Sequence, residues 1–228
     1  MGNDRLFAAL VQQFERAERG MSADTAAQTT RAASASGTRA RILEAATELF
    51  YAQGIRATSA DRIIEQVGIT KVTFYRHFRT KGDLVVAYLE AQAAAERGWM
   101  EQARGQGDPV ASLRALATGI GSASCSPGFR GCPFINAAAE YSDPADPVRG
   151  AVDAHRRWTQ DQFAAIAAEA GVDDVDSAAR QLMLLRDGAM VNGYLGDPTT
   201  VGDSLGAAFT SIVAAAGATT DASRPRPA

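Results

Sequence analysis

Between Ser59 and Lys81 the sequence SADRIIEQVGITKVTFYRHFRTK gathers groups that donate hydrogen bonds to anions. Lys71, Arg76, Arg79 and Lys81 are cationic, Ser59, Thr70, Thr73 and Tyr75 carry hydroxyls, and His77 adds an imidazole. Donors of this kind serve two chemistries at a nucleic acid, which are contacts to phosphate oxygens and contacts to base edges. A lysine suits guanine O6 and N7, while a valine or a threonine methyl suits the thymine methyl. Lys71, Val72 and Thr73 are therefore candidates for base contact, and Tyr75, His77 and Lys81 for phosphate. Thr70 and Arg76 lie on the same short segment, and Thr58 or Ser59 can add a further phosphate contact. The alternative reading makes Tyr75 and His77 ordinary amphipathic surface residues and, in a different helical register, Val72 core.

Such groups act together only on a helix with one anchored side. Phe74 and Phe78 are four apart and share a face, which leaves Val72, Thr73, Tyr75, Arg76 and Arg79 on the other. Ser59 is a good N-cap for a helix carrying Ile63, Ile64 and Val67, which Gly68 stops. Thr70 then caps a helix over 71–78, so two short helices meet across a tight glycine turn, the pattern of a helix-turn-helix. Before them, 39–53 places Ile42, Leu43, Ala46, Leu49 and Phe50 on one face, with Gly54 as the stop. After them, Thr80 and Asp83 form a T-x-x-D capping box for a long helix over 81–103, with Leu84, Tyr88, Ala95 and Trp99 expected inward. Lys81 sits in its first turn, where the helix dipole favours an anion.

Composition supports this division. The chain has 228 residues and a net charge of −3, with 46% hydrophobic and 7% aromatic residues. Residues 38–81 hold eight bases and four acids, residues 1–37 four of each, and the remainder must carry −7. Both lysines of the chain lie in the basic segment, so a compact basic module is joined to a larger acidic body. No run approaches the roughly 18–20 apolar residues of a membrane span. The start lacks the basic-then-apolar pattern of an export signal, and a cytoplasmic location is expected. Two cysteines, Cys125 and Cys132, are too few for a disulfide framework or a cysteine-only zinc site. No cofactor and no metal site are expected.

The segment ARILEAATELFYAQGIRATSADRIIEQVGITKVTFYRHFRTKGDLVVAYL resembles the DNA-binding domain of the TetR family of transcriptional regulators. The A-x-x-L-F helix, the V-G-I-T-K-x-T-F-Y-x-H-F segment and the T-K-G-D-L helix start carry the resemblance. It implies phosphate contacts from Tyr75, His77 and Lys81, base contacts from Lys71, Val72 and Thr73, and a homodimer on a palindromic double-stranded operator. It also implies a helical pocket for a small-molecule effector of unstated identity. Asp61 departs from the pattern, because some members place a basic base-contacting side chain there.

The rest of the chain also reads as helix. Asp108-Pro109 and Asp146-Pro147 each place a cap before a proline, opening helices over 109–122 and 147–170, and two more follow over 175–194 and 199–215. No period-2 alternation of useful length is present, so the expectation is an all-α protein. Residues 1–37 are expected to be an extension or linker, with a short amphipathic helix over 1–20 and a flexible 21–37, and Met21 is an alternative start. Residues 38–84 form the DNA-binding domain, 85–216 the ligand-binding and dimerisation domain, and 217–228 a disordered tail.

In the helix over 175–194, Leu182, Met183, Leu184, Leu185, Ala189, Met190 and Val191 cover most of the circumference, as in a helix buried on two fronts. The last helix adds Leu205, Ala208, Ile212 and Ala215, and together they are expected to form a two-fold interface. The segment over 131–149 is similar to one in a subset of the same family. Around it, Trp99, Phe134, Asn136, Tyr141, His155, Trp158, Met183 and Asn192 are the candidate effector contacts.

The leading expectation is a homodimeric repressor released by its effector, with the long helix from Lys81 coupling the two sites. Alternatives are an activator, or a redox-responsive regulator of the same fold using Cys125 and Cys132, which flank a Pro-Gly loop. A more remote alternative is an enzyme using Cys132 with His155, or His155 with Asp153 or Glu140. The chain has two histidines and no phosphate-binding glycine loop, zinc spacing or nucleophile elbow, so the protein is expected not to be an enzyme.

Overall fold

The computed structural model describes residues 26–105 and 108–222, with side chains over 37–105 and 108–215. The expected helix over 1–20 and the alternative start at Met21 lie outside the described residues. Among those described there are nine α-helices and one 3-10 turn, with no strand. They are α1 (Ala26–Gln53), α2 (Ala60–Val67), α3 (Lys71–His77), α4 (Lys81–Arg104), α5 (Pro109–Ser124), α6 (Pro133–Glu140), α7 (Pro147–Glu169), α8 (Val175–Leu195), the 3-10 turn Pro198–Thr200 and α9 (Val201–Ala222).

The caps decide most of these limits. Ser59 accepts from the Arg62 amide to open α2, and Gly68 closes it at φ 71° with its N–H on Ile64 and Glu65 carbonyls, a left-handed stop that a side chain would strain. Thr70 accepts from the Thr73 amide to open α3. The Thr80–Asp83 box forms reciprocally, each backbone N–H reaching the other side chain at 3.0 Å. Asp108 and Asp146 cap α5 and α7 ahead of their prolines.

Two expectations about irregular ends are corrected. Residues 26–37, expected to be flexible, belong to α1, and residues 217–222, expected to be disordered, belong to α9. Both segments lack apolar periodicity, but residues 26–37 are rich in alanine, the strongest helix former, and each segment continues a helix already fixed by its neighbour.

The chain divides into two compact units, one ending at Tyr88 and the other starting at Leu89, four residues beyond the expected boundary at 84. Tyr88 belongs with the first because its ring meets Phe50 edge-on at 5.7 Å. That unit packs Ile42, Ala46, Leu49 and Phe50 of α1 against Ile63, Ile64 and Val67 of α2, with Phe74 and Phe78 behind α3. Arg41 donates to the Val67 carbonyl at 2.6 Å and Gln66 to Glu48 at 2.9 Å, tying α1 to α2.

The second unit is built on Leu113, Leu116, Phe163, Ile166, Leu182 and Phe209. Its α5 and α9 approach so closely that a Cβ on Gly121 would stand 2.6 Å from the Gly202 Cα. Along α4 the buried residues are Leu84, Val85, Ala87, Tyr88, Leu89, Ala93 and Met100, while Ala95 and Trp99 are only half-buried. No helix of the described residues is long and apolar enough to cross a membrane.

Candidate nucleic-acid interface

The first unit presents α3 as an anchored rod. Phe74 is fully buried and Phe78 is 3% exposed, whereas Val72 is 79% and Tyr75 48% exposed. Lys71, Arg76 and Arg79 are also exposed, with Thr73 and His77 intermediate. The spacing of the phenylalanines therefore fixed the rotation of the helix correctly, and Val72 is surface rather than core. Arg39 from α1 lies over the Phe78 ring at 4.8 Å, and the Lys81 ammonium stands 6.0 Å from the Phe50 ring. Both cations thus rest their stems on the apolar base of the unit.

The hydroxyls divide by environment. Ser59 and Thr70 are exposed, and each oxygen accepts a cap bond, which leaves its own proton to donate. Thr70 and Thr73 hydroxyls are 3.0 Å apart. Thr58 is different. It is fully buried, and its hydroxyl donates to the Leu49 and Gly54 carbonyls. The expectation that Thr58 reaches a phosphate is corrected, because its side chain closes the end of α1 instead.

His77 also departs from expectation. Its Nε2 is buried without a hydrogen-bond partner. Burial, then Arg76 and Arg39, hold its pKa below the ordinary histidine range, so at neutral pH it brings no positive charge to the surface. Lys71 has a partner that its sequence spacing did not announce. Its ammonium lies 2.8 Å from Asp61 Oδ1 and 3.0 Å from Oδ2, joining the first turns of α2 and α3. The hydrogen bond and the charge of Asp61 raise the lysine pKa.

In the second unit the candidate effector contacts are scattered. Phe134 and His155 stack with centroids 3.6 Å apart, and Trp158 lies 6.3 Å from His155 under the Arg97 guanidinium. Met183 is part of the apolar core, and Trp99 packs beside Gly119. Tyr141 is half-buried. Asn136 and Asn192 are exposed, and each amide donates to a backbone carbonyl at 2.9 Å, those of Arg130 and Gly188. Asn192 stands on an open groove of about 480 Å³ between α8 and α9, so its place is on that face. The structure thus joins Phe134, His155 and Trp158 and gives the others separate surroundings.

His155 belongs to a buried ionic network. Glu96 of α4 lies 3.2 Å from His155 Nε2 and 2.6 Å from Arg186, and Arg186 also reaches Asp187 at 3.2 Å and the Cys132 sulfur at 3.4 Å. Burial pushes the Glu96 carboxyl up, but the charge of Arg186 and the His155 contact outweigh it and bring it down to about 2. The Arg186 guanidinium is likewise held charged, since Glu96 and Cys132 outweigh its burial. Glu96 and Arg186 escaped the sequence reading although a signal existed. Each interrupts an apolar stripe at helical spacing, Glu96 between Ala93 and Met100 and Arg186 between Leu182 and Ala189.

Both thiols are free, with Cys125 exposed and Cys132 buried. Cys125 donates to the Pro198 carbonyl at 3.5 Å. Among the described residues no hydrogen bond links Cys132 to His155, as a cysteine–histidine nucleophile pair would require. No group of histidine, cysteine or carboxylate side chains there is suited to a metal ion.

Comparison with known proteins agrees with the geometry. Residues 42–88 match the family "Bacterial regulatory proteins, tetR family", and residues 109–195 match "Tetracyclin repressor-like, C-terminal domain". A crystal structure of a TetR-family transcriptional regulator from Streptomyces coelicolor is 42% identical, with a TM-score of 0.76, over 79% of this chain and 96% of that one. The HTH-type transcriptional regulator TtgR of Pseudomonas putida is 33% identical over 35% of this chain and 39% of its own length. AcrR of Shigella flexneri is 37% identical over 35% of this chain and 38% of its own. The chain thus spans about two fifths of the length of these two curated relatives. All three are regulators by name rather than enzymes.

Proposed function

This chain belongs to the TetR family of DNA-binding transcriptional regulators, and we propose that within it the protein acts as a homodimeric repressor that a small molecule releases from a palindromic operator. The observation that carries the reading is the exposed outer side of α3, cationic and hydroxylated with Val72 at its centre, held from behind by Phe74 and Phe78. Such a rod fits a major groove, with Lys71, Val72 and Thr73 on base edges. Lys81, Tyr75, Ser59 and Thr70 supply phosphate donors around it, with Arg76 beside them.

Dimerisation is supported by the outer side of α8. Leu184 is 72%, Leu195 75% and Val191 44% exposed, while Leu182, Met183 and Ala189 of the same helix are buried in the core. The open groove beside them continues onto α9 through Leu205 and Ala208. An apolar face of this kind on two adjacent helices suits a two-fold four-helix contact. Residues 89–216 would then hold both the interface and the effector site, with residues 38–88 as the DNA-binding domain. The stacked Phe134 and His155 with Trp158 are the favoured effector contacts. The coupling element is α4, which starts at Lys81 and carries Glu96.

Fluorescence anisotropy of the full chain on selected and random duplexes tests the site, and sedimentation tests the dimer. Lys81→Ala should weaken binding to all sequences alike and reduce the salt slope by about one, whereas Lys71→Ala should also blur base preference. Unchanged binding by both variants would overturn the assignment, and a monomer at micromolar concentration would overturn the dimer.

A further inference from the structure

We infer that Asp61 is a specificity-determining residue, whose carboxylate, paired with Lys71, makes the operator present a cytosine amino group beside the guanine that the lysine contacts. The inference rests on α3 being the groove-facing helix and deepens that reading. Its starting point is geometric. The Lys71 ammonium is within 3.0 Å of both carboxylate oxygens of Asp61, so whatever surface the ammonium reaches, a carboxylate arrives with it. Neither side chain is sheltered, with 66% of Lys71 and 65% of Asp61 exposed.

A carboxylate in the major groove accepts hydrogen bonds and cannot donate them. It is repelled by guanine O6 and N7, by adenine N7 and by thymine O4, and only the amino groups of cytosine and adenine satisfy it. Lys71 and Asp61 together are a donor beside an acceptor. The major-groove edge of a G·C pair is the complement, with the guanine acceptors beside the cytosine N4 donors. The carboxylate engages at most two of the three ammonium protons, which leaves a donor for the guanine. Away from such a pair, Asp61 neutralises the lysine and adds repulsion against phosphates. Random duplex is thereby disfavoured, which is specificity through penalty on the wrong partner.

The test uses the full chain as wild type, Asp61→Asn, Lys71→Met and the double variant, with circular dichroism to verify helix content. Each is put through selection on randomised duplexes and then anisotropy across a salt series. In the wild type, one G·C pair per half-site is expected to be required, any other pair costing ~5-fold or more in affinity. In Asp61→Asn that requirement should fall below about twofold while the other positions keep theirs. Affinity for random duplex should rise and its salt slope steepen by about one, because the freed lysine neutralises another phosphate. Lys71→Met should weaken binding to every duplex, and adding Asp61→Asn should recover most of that loss.

An unaltered base preference and salt slope in Asp61→Asn, or strictly independent effects of the two substitutions, would overturn the inference. Failure of the wild type to enrich any sequence would instead strike the groove reading beneath it.

Discussion

In each unit a carboxylate answers a basic side chain from another helix, Asp61 in the first and Glu96 in the second, and the two sit in opposite surroundings. Asp61 and Lys71 are both about two-thirds exposed, at 65% and 66%. Glu96 and Arg186 are 19% and 5% exposed, and His155 and Cys132 press on the same cluster. Distances are similar, 2.8 Å in one and 2.6 Å in the other. What differs is the cost of separation. In water an exposed pair can exchange its partners for solvent or for a ligand with little change in free energy. A buried pair whose partner is removed leaves an unsolvated charge. The first arrangement suits a surface that meets DNA and must re-pair there, and the second suits a framework that holds α4, α7 and α8 in one register.

The comparison is broken most directly at Arg186. Arg186→Met takes the guanidinium from Glu96, while Asp187 keeps Arg156 at 2.7 Å, at an expected loss of about 3–5 kcal/mol in the second unit. Trp99 and Trp158 are the two tryptophans of the chain, so urea unfolding followed by tryptophan fluorescence reads this unit alone. Adding Glu96→Gln should return part of the loss, because the orphaned charge is then gone. A midpoint equal to that of the wild type in the single variant would show that the network holds nothing together.

Acid gives the next effect. The Glu96 carboxyl, ordinarily near 4.5, is held down to about 2 in the folded unit. A depressed carboxyl contributes stability above its unfolded pKa, and that contribution is lost as pH falls through the folded value. The unfolding free energy reported by tryptophan fluorescence in urea should therefore decline between pH of about 4.5 and about 2, by roughly 3 kcal/mol in full. Glu96→Gln should flatten this part of the profile. An equally steep profile in that variant would assign the acid sensitivity to other carboxylates.

A smaller effect is expected in the first unit, where caps rather than charges fix the reading surface. Thr70→Ala removes the acceptor for the Thr73 amide at 3.2 Å, a loss of about 1 kcal/mol. Hydrogen exchange over residues 71–78 should quicken, while tryptophan fluorescence stays unchanged. Affinity for the selected operator should fall with it, since α3 must then be ordered on binding. Unchanged exchange would mean that Phe74 and Phe78 alone hold the helix.

The two regions also differ in how far the sequence discloses them. In the first unit the signals are local. Ser59, Gly68, Thr70 and the Thr80–Asp83 box lie within a turn of the ends they cap, and Phe74 with Phe78 sets the rotation of α3 directly. Thr58 misled because a hydroxyl beside a cap reads the same whether it faces solvent or, as here, the Leu49 and Gly54 carbonyls. The Asp61–Lys71 pair spans the turn between two helices, so no single-helix periodicity reveals it. In the second unit the partners of Arg186 come from 54 and 90 residues away, at Cys132 and Glu96. Position in an apolar stripe marks both charges as buried, but only the packing of four helices tells which one answers which. Residues 26–37 and 217–222 fail for another reason. Without an apolar face they carry no period to read, and propensity alone separates helix from linker.

The smallest effect sharpens the contrast most. Lys71→Ala should leave the thermal unfolding of the first unit, followed by circular dichroism, indistinguishable from that of the wild type at low salt and at 1 M. Its pair with Asp61 is open to solvent on both sides, and ions at 1 M screen such a pair within about 3 Å. Binding to duplex should fall in the same variant, because the ammonium is then missing from the groove. A large loss of stability would mean that the pair works as the buried network does, holding α2 against α3. The exposed pair would then no longer be free to re-pair on DNA, and the division between a surface that exchanges partners and a core that keeps them would fail.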